Sequence, residues 1–275
     1  MKLLIFDLDG VITTEADYWA TARAGLRQML KTDTDPLPQD FIFWCKNHAI
    51  NHNWDLAFVA LSAFPGDAAF RAAREHLTGR DLLESCDGYR GAAWIECHVL
   101  CQAIQDSGPL PETCLHRPEE LVLLFEDLRR NGFVCSIATG RPRIEAMAPL
   151  ERSGIRKYFD PSRILTHDDV QSAESEAKIP LGKPHPFVAL KAIYPDLPVA
   201  ELLGMKSEVR AGVWFIGDAV SDVHAALGAG VTPIGILGAL PDGPYREGRA
   251  DALRRAGCQT LLGSVLRLPS ELQNR

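Results

Sequence analysis

Apolar and polar positions fall into two regimes along the chain. Residues 2–6 (KLLIF) form an apolar run behind one lysine, with the length and content of a buried strand, and the run stops at Asp7. From 15 to 117 the apolar positions recur at helical spacing instead. Tyr18, Trp19, Ala22, Leu26, Met29 and Leu30 make one such set. Phe41, Trp44, Cys45, Trp54, Phe58 and Leu61 make another within 41–63, and the pattern returns near 67–78 and 91–105. No strand-like alternation interrupts it, so the region predicts an all-helical segment. A turn-rich break falls at 32–38, and a linker over 107–118 with Pro109, Pro111 and Pro118 closes the segment.

Beyond the linker, helical and strand patterns alternate. Pro118 opens a helix with Glu119 and Glu120 in its first turn, Arg129 and Arg130 in its last, and Gly132 after it, as helix dipole and caps require. Strands are predicted at 133–138, 162–166, 213–217 and 231–237, and helices at 143–153, 184–194 and 220–229. A helix-turn-strand unit spans 248–262. Pro233 places its strand at a sheet edge. The acidic stretch 167–178 reads as a solvated surface loop. Together these predict an α/β fold: a Rossmann-like, doubly wound parallel-sheet core from residues 1–14 and 118–275, with an inserted all-helical domain at 15–117.

Composition narrows the function classes. A chain of 275 residues with net charge −7 is long enough for a large core, and its acidity argues against a nucleic-acid partner. Apolar runs fall far short of the roughly 20 residues a membrane helix needs, so no membrane partner is expected. The run at 3–6 is cut off by Asp7 too early for a signal peptide, which gives a cytoplasmic expectation. Seven scattered cysteines do not form a disulfide framework. Cys97, His98 and Cys101 have spacing for a soft metal, but Trp94, Cys97, Cys101 and Ile104 read better as one buried helix stripe.

The chemistry collects where strands end. Asp7 and Asp9 follow the first strand, Thr139-Gly140-Arg141-Pro142 the strand at 133–138, and Asp218 the strand at 213–217, with Asp222 four residues on. Lys183 precedes a helix start. Ligands of open α/β sheets bind at these carboxyl ends. Carboxylates converging there repel one another unless a hard divalent cation and a lysine compensate them. Each fragment alone is weak, and Asp-x-Asp-Gly fails as a calcium loop because Val11, Ile12 and Tyr18 stand where ligands and glycine belong.

In this order the motifs resemble the haloacid dehalogenase superfamily, in its phosphatase branch with a helical cap inserted after the first motif. Asp7-Leu8-Asp9-Gly10-Val11, Thr139-Gly140, Lys183 and Gly217-Asp218-Ala219-Val220-Ser221-Asp222 carry the resemblance. It implies a Mg²⁺-dependent phosphatase of a small phosphorylated metabolite, acting as a monomer or homodimer. Asp7 would be nucleophile and metal ligand. Asp9 would be general acid and then base, its backbone carbonyl touching the metal. Thr139 and Gly140 would hold the phosphoryl group, Lys183 would neutralise charge, and Asp218 and Asp222 would bind Mg²⁺. Asp9 argues against dehalogenation. A β-phosphoglucomutase-like phosphomutase and a non-catalytic phosphate- or metal-binding module are the alternatives. In the cap, Trp44, His48, His52 and Arg80 are candidate specificity contacts, although aromatic packing also accounts for such residues.

Overall fold

The computed structural model describes residues 2–14, 18–63, 68–106 and 113–273; the first half of the expected linker, 107–112, lies outside the described residues. The chain divides into two compact units, Met1–Thr14 with Glu112–Arg275, and Glu15–Pro111. After strand β1 (Lys2–Phe6), the second unit contributes six helices among its described residues. These are α1 (Tyr18–Leu30), α2 (Gln39–Asn47), α3 (Asn53–Ala63), α4 (Ala68–Arg74), α5 (Gly79–Glu84) and α6 (Ala92–Asp106). Trp19, Leu26, Phe41, Phe58, Cys97 and Cys101 meet in one buried cluster, so both α6 thiols pack as core. The continuous helical spacing over 41–63 is split into α2 and α3. The break comes where Ala49 turns left-handed, at φ 61°, and the His48 carbonyl accepts from Gly79 N–H at 2.7 Å. Among the described residues no single helix is long and apolar enough to cross a membrane.

The first unit is a parallel sheet of six strands. Its other strands are β2 (Phe133–Ala138), β3 (Phe159–Leu165), β4 (Val213–Gly217), β5 (Thr232–Ile236) and β6 (Thr260–Leu262), in the order β3-β2-β1-β4-β5-β6. The connecting helices are α7 (Pro118–Arg130), α8 (Arg143–Arg152), α9 (His167–Ala177), α10 (Phe187–Ile193), α11 (Val199–Leu203), α12 (Val220–Gly228), α13 (Pro244–Arg255) and α14 (Leu268–Gln273). Side chains alternate across a strand. Leu4 and Phe6 of β1 therefore join one cluster with Leu121 and Phe125 of α7, while Leu3 and Ile5 join another with Val188 of α10 and Ala225 of α12. Burial on both faces explains the unbroken apolar run, and each such side chain contributes about 1.5–3 kcal/mol.

Two expectations are corrected. β5 is an internal strand, paired to β4 on one side and β6 on the other. Leu237 N–H donates toward β6, to the Leu262 carbonyl, so by alternation the missing N–H of Pro233 also faces that side. β6 begins only opposite Ile234, so no ladder bond is lost there. The acidic stretch is not a loop but α9. Asp169 accepts from Thr166 N–H at 2.8 Å and from its hydroxyl at 2.8 Å, and it also pairs with Arg143. A Thr-x-x-Asp cap was hidden inside what reads as a charge run.

Candidate active site

The strand order reverses between β1 and β4: the chain builds outward through β2 and β3 on one side, then through β4, β5 and β6 on the other. A crevice opens at the carboxyl ends of strands at such a switch point. Asp7 follows β1 and Asp218 follows β4, and the first turn of α12 carries Asp222. One oxygen from each of these three buried carboxylates lies within 4.8 Å of the others. Lys183, in the loop before α10, places its ammonium 3.0 Å from Asp7 Oδ1 and 2.8 Å from Asp222 Oδ1. The same ammonium donates to the Ala138 carbonyl at 3.3 Å, which ties in the end of β2 and hence Thr139 and Gly140. Thr139 is buried, its N–H held by the Leu165 carbonyl and its hydroxyl accepting from Arg141 N–H at 3.2 Å.

The electrostatics follow from burial. Desolvation drives the Asp7 carboxyl up, to about 7; Lys183 opposes this, and Asp222 and Asp9 reinforce it. Burial works against the charge on Lys183, but Asp222 and Asp7 outweigh it and hold the ammonium protonated far into alkaline conditions. Three carboxylates against one ammonium leave a formal charge of −2 among these four groups, which one divalent cation would match. The donors are all hard oxygens, the chemistry that suits a hard cation.

Two glycines make the close approach possible. A Cβ on Gly10, whose φ is 76°, would fall 2.2 Å from Asp218 Oδ2, and one on Gly217 would fall 2.4 Å from the Asp222 side chain. Only bare backbone lets these carboxylates sit against the chain at positions 10 and 217.

Asp9 stands apart from the three-carboxylate group. Arg141 Nε donates to its Oδ2 at 2.9 Å, and Arg141 Nη2 and the Thr13 hydroxyl donate to its Oδ1, the latter at 3.2 Å. Both Asp9 and Arg141 are buried. The sequence marks Arg141 only as the third residue of Thr-Gly-Arg-Pro and gives it no role. Arg249 of α13 is also fully buried, and its Nη1 donates to the Asp218 carbonyl at 3.3 Å. Nothing distinguishes it in sequence from the neighbouring surface arginines.

The candidate specificity residues belong to the helical unit. Trp44 is buried and its indole donates to Glu75 at 3.1 Å. His48 lies tilted beside Trp44 with ring centroids 4.4 Å apart, and its Nδ1 donates to the Trp44 carbonyl at 2.7 Å. His52 is half-buried beside Trp54 and His98, and Arg80 is exposed and paired with Glu84.

A family model described as haloacid dehalogenase-like hydrolase matches residues 1–230. No curated protein matches the chain. Among solved structures, a candidate phosphoglycolate phosphatase of Lactobacillus delbrueckii subsp. bulgaricus is similar at TM-score 0.65 and 16% identity, covering 98% of each chain. A hydrolase of Pseudomonas syringae is similar at TM-score 0.54 and 22% identity, covering 100% of this chain and 99% of that one. A candidate β-phosphoglucomutase of Bacteroides vulgatus is similar at TM-score 0.57 and 14% identity, covering 99% and 88%. These likenesses concern the fold.

Proposed function

The chain belongs to the haloacid dehalogenase-like hydrolases, and from that premise we propose that it is a Mg²⁺-dependent phosphohydrolase of a small phosphorylated metabolite, working through an aspartyl-phosphate on Asp7. The observation that carries this reading is the convergence of Asp7, Asp218, Asp222 and Lys183 at the β1/β4 switch point, with Asp9 two residues beyond the nucleophile. Asp7, Asp218, Asp222 and the backbone carbonyl of Asp9 would hold the cation. When bound, Mg²⁺ supplies positive charge that steadies the phosphoryl oxygens.

The chain's own residues divide the rest of the work. Lys183 opposes the upward push of burial on Asp7 and offsets the incoming phosphoryl charge. The Thr139 hydroxyl and the Gly140 amide hold phosphoryl oxygens. An Asp7 carboxylate oxygen bonds to phosphorus as the ester oxygen departs, taking a proton from Asp9. Water then attacks the same phosphorus, gives its proton to Asp9, and frees Asp7. The inserted helical unit would set specificity, since the residues named above supply only phosphoryl chemistry.

The test is a screen of phosphorylated metabolites with Mg²⁺ and with chelator, assayed for free phosphate. Activity that survives chelation sinks the metal assignment. Isomerised sugar phosphate without phosphate release would move the chain to the mutases.

Two expectations accompany this reading. Asp7 must ionise to bind the cation, and its carboxyl is raised to about 7. Mg²⁺ affinity should therefore strengthen roughly tenfold between pH 6 and pH 8 and level off above, with one proton released per ion on the acidic side. Titration calorimetry in buffers of different ionisation enthalpy reads both quantities. Gly10→Ala should displace Asp218. Turnover should fall on the order of 100-fold with weakened Mg²⁺ binding while circular dichroism stays unchanged.

A further inference from the structure

The Asp9 carboxylate presents about four acceptor positions, two on each oxygen. Oδ1 takes two donors, Arg141 Nη2 and the Thr13 hydroxyl. Oδ2 takes one among the described residues, Arg141 Nε at 2.9 Å. The guanidinium is a rigid planar fork, so two bonds from it fix the plane of the carboxylate as well as its position. Arg141 is itself seated, with its own N–H on the Thr139 hydroxyl and its Nη2 3.4 Å from Thr13 Oγ1. The fork therefore ties the loop after β2, which carries the phosphoryl-binding Thr139, to the carboxylate after β1.

We propose that Arg141 is the positioning residue for Asp9, aiming the remaining acceptor position of Oδ2 at the hydrolytic water. This rests on the covalent phosphohydrolase reading above and deepens it. The two half-reactions use Asp9 differently. Transfer to Asp7 needs Asp9 as a proton donor, whereas the fork and the Thr13 hydroxyl meet both of its oxygens as acceptors. Hydrolysis of the aspartyl-phosphate needs an oriented acceptor, which is what the fork supplies. In that step the water oxygen bonds to phosphorus, the bond from phosphorus to Asp7 breaks with its electrons returning to the Asp7 carboxylate, and the water proton goes to Asp9 Oδ2. Arg141 thus serves the second half-reaction and shortens the life of the phosphoenzyme.

The test uses p-nitrophenyl phosphate with Mg²⁺ under stopped flow. Its leaving group departs without a proton, so the first half-reaction does not depend on Asp9. Arg141→Ala should show a burst of about one p-nitrophenolate per active site at a rate within about threefold of the parent, then steady turnover lowered at least about 100-fold. Arg141→Lys, which keeps the charge and one donor, should recover part of the steady rate. In an Asp9→Asn background, Arg141→Ala should cost less than about threefold more. Burst and steady phases falling together in Arg141→Ala would assign the residue to structure and overturn the proposal. So would a further tenfold loss in the Asp9→Asn background. A parent that does not turn over, or turnover surviving Asp7→Asn, would instead overturn the phosphohydrolase reading beneath it.

Discussion

Asp7→Asn should lower turnover by at least about four orders of magnitude, the scale on which loss of a catalytic nucleophile acts. The amide keeps the size of the carboxyl, and its oxygen still accepts the Leu8 N–H bond now made at 2.8 Å. It is a poor nucleophile and a poor ligand. Because the parent carboxyl is buried and raised to about 7, removing its charge also removes a desolvation cost. The metal-free variant should therefore match or exceed the parent in thermal stability at pH 8. A raised carboxyl costs stability above its unfolded pKa of about 4, increasingly up to its folded value, so the advantage should shrink toward pH 4. Inactivity accompanied by a large loss of stability would make the residue structural and count against its role as nucleophile.

Lys183→Met should produce the largest change in stability. In the parent, one largely enclosed ammonium bridges Asp7 and Asp222 at 3.0 and 2.8 Å. Removing it leaves two buried carboxylates facing each other, and breaking a buried pair in this way costs about 3–5 kcal/mol. For a chain of this length, that corresponds to a fall in melting temperature on the order of 10 °C. The loss depends on pH in a definite sense. Without Lys183 nothing opposes the upward push on the Asp7 carboxyl, so the penalty is full at pH 8 and relieved toward pH 5, where Asp7 takes up a proton. Mg²⁺ should restore part of the melting temperature at pH 8, because it supplies charge to the same oxygens. Turnover should remain depressed by at least about 1,000-fold even with saturating Mg²⁺, since the ion does not replace the ammonium beside Asp7. Equal melting temperatures for parent and variant at pH 8 would mean that Lys183 does not hold the pair.

The sheet was legible wherever burial on both faces forces an apolar run. The runs at 2–6, 133–138 and 213–217 are β1, β2 and β4, and their polar successors form the site. Pro233 misleads because proline usually avoids internal strands, whereas here its missing N–H faces a neighbour that has not yet begun. α9 was hidden by its charge, since periodicity cannot show that Asp169 caps a helix and meets Arg143. The break between α2 and α3 depends on the left-handed Ala49, which has no sequence signal of its own. In the site, the carboxylates and Lys183 announce themselves by their place after strands and before helices. Arg141 and Arg249 do not, because their partners lie 132 and 31 residues away and a lone arginine carries no trace of such a pairing.

A phosphoryl group carried on Asp7 can be trapped directly. The protein with Mg²⁺ and p-nitrophenyl phosphate, quenched in acid within the first turnover, is reduced with borohydride and digested. Mass spectrometry then reads the peptide that begins the chain. Homoserine is expected at position 7 in the substrate-treated sample alone, absent without Mg²⁺. Turnover with an unmodified position 7, or modification at another carboxylate, would contradict it.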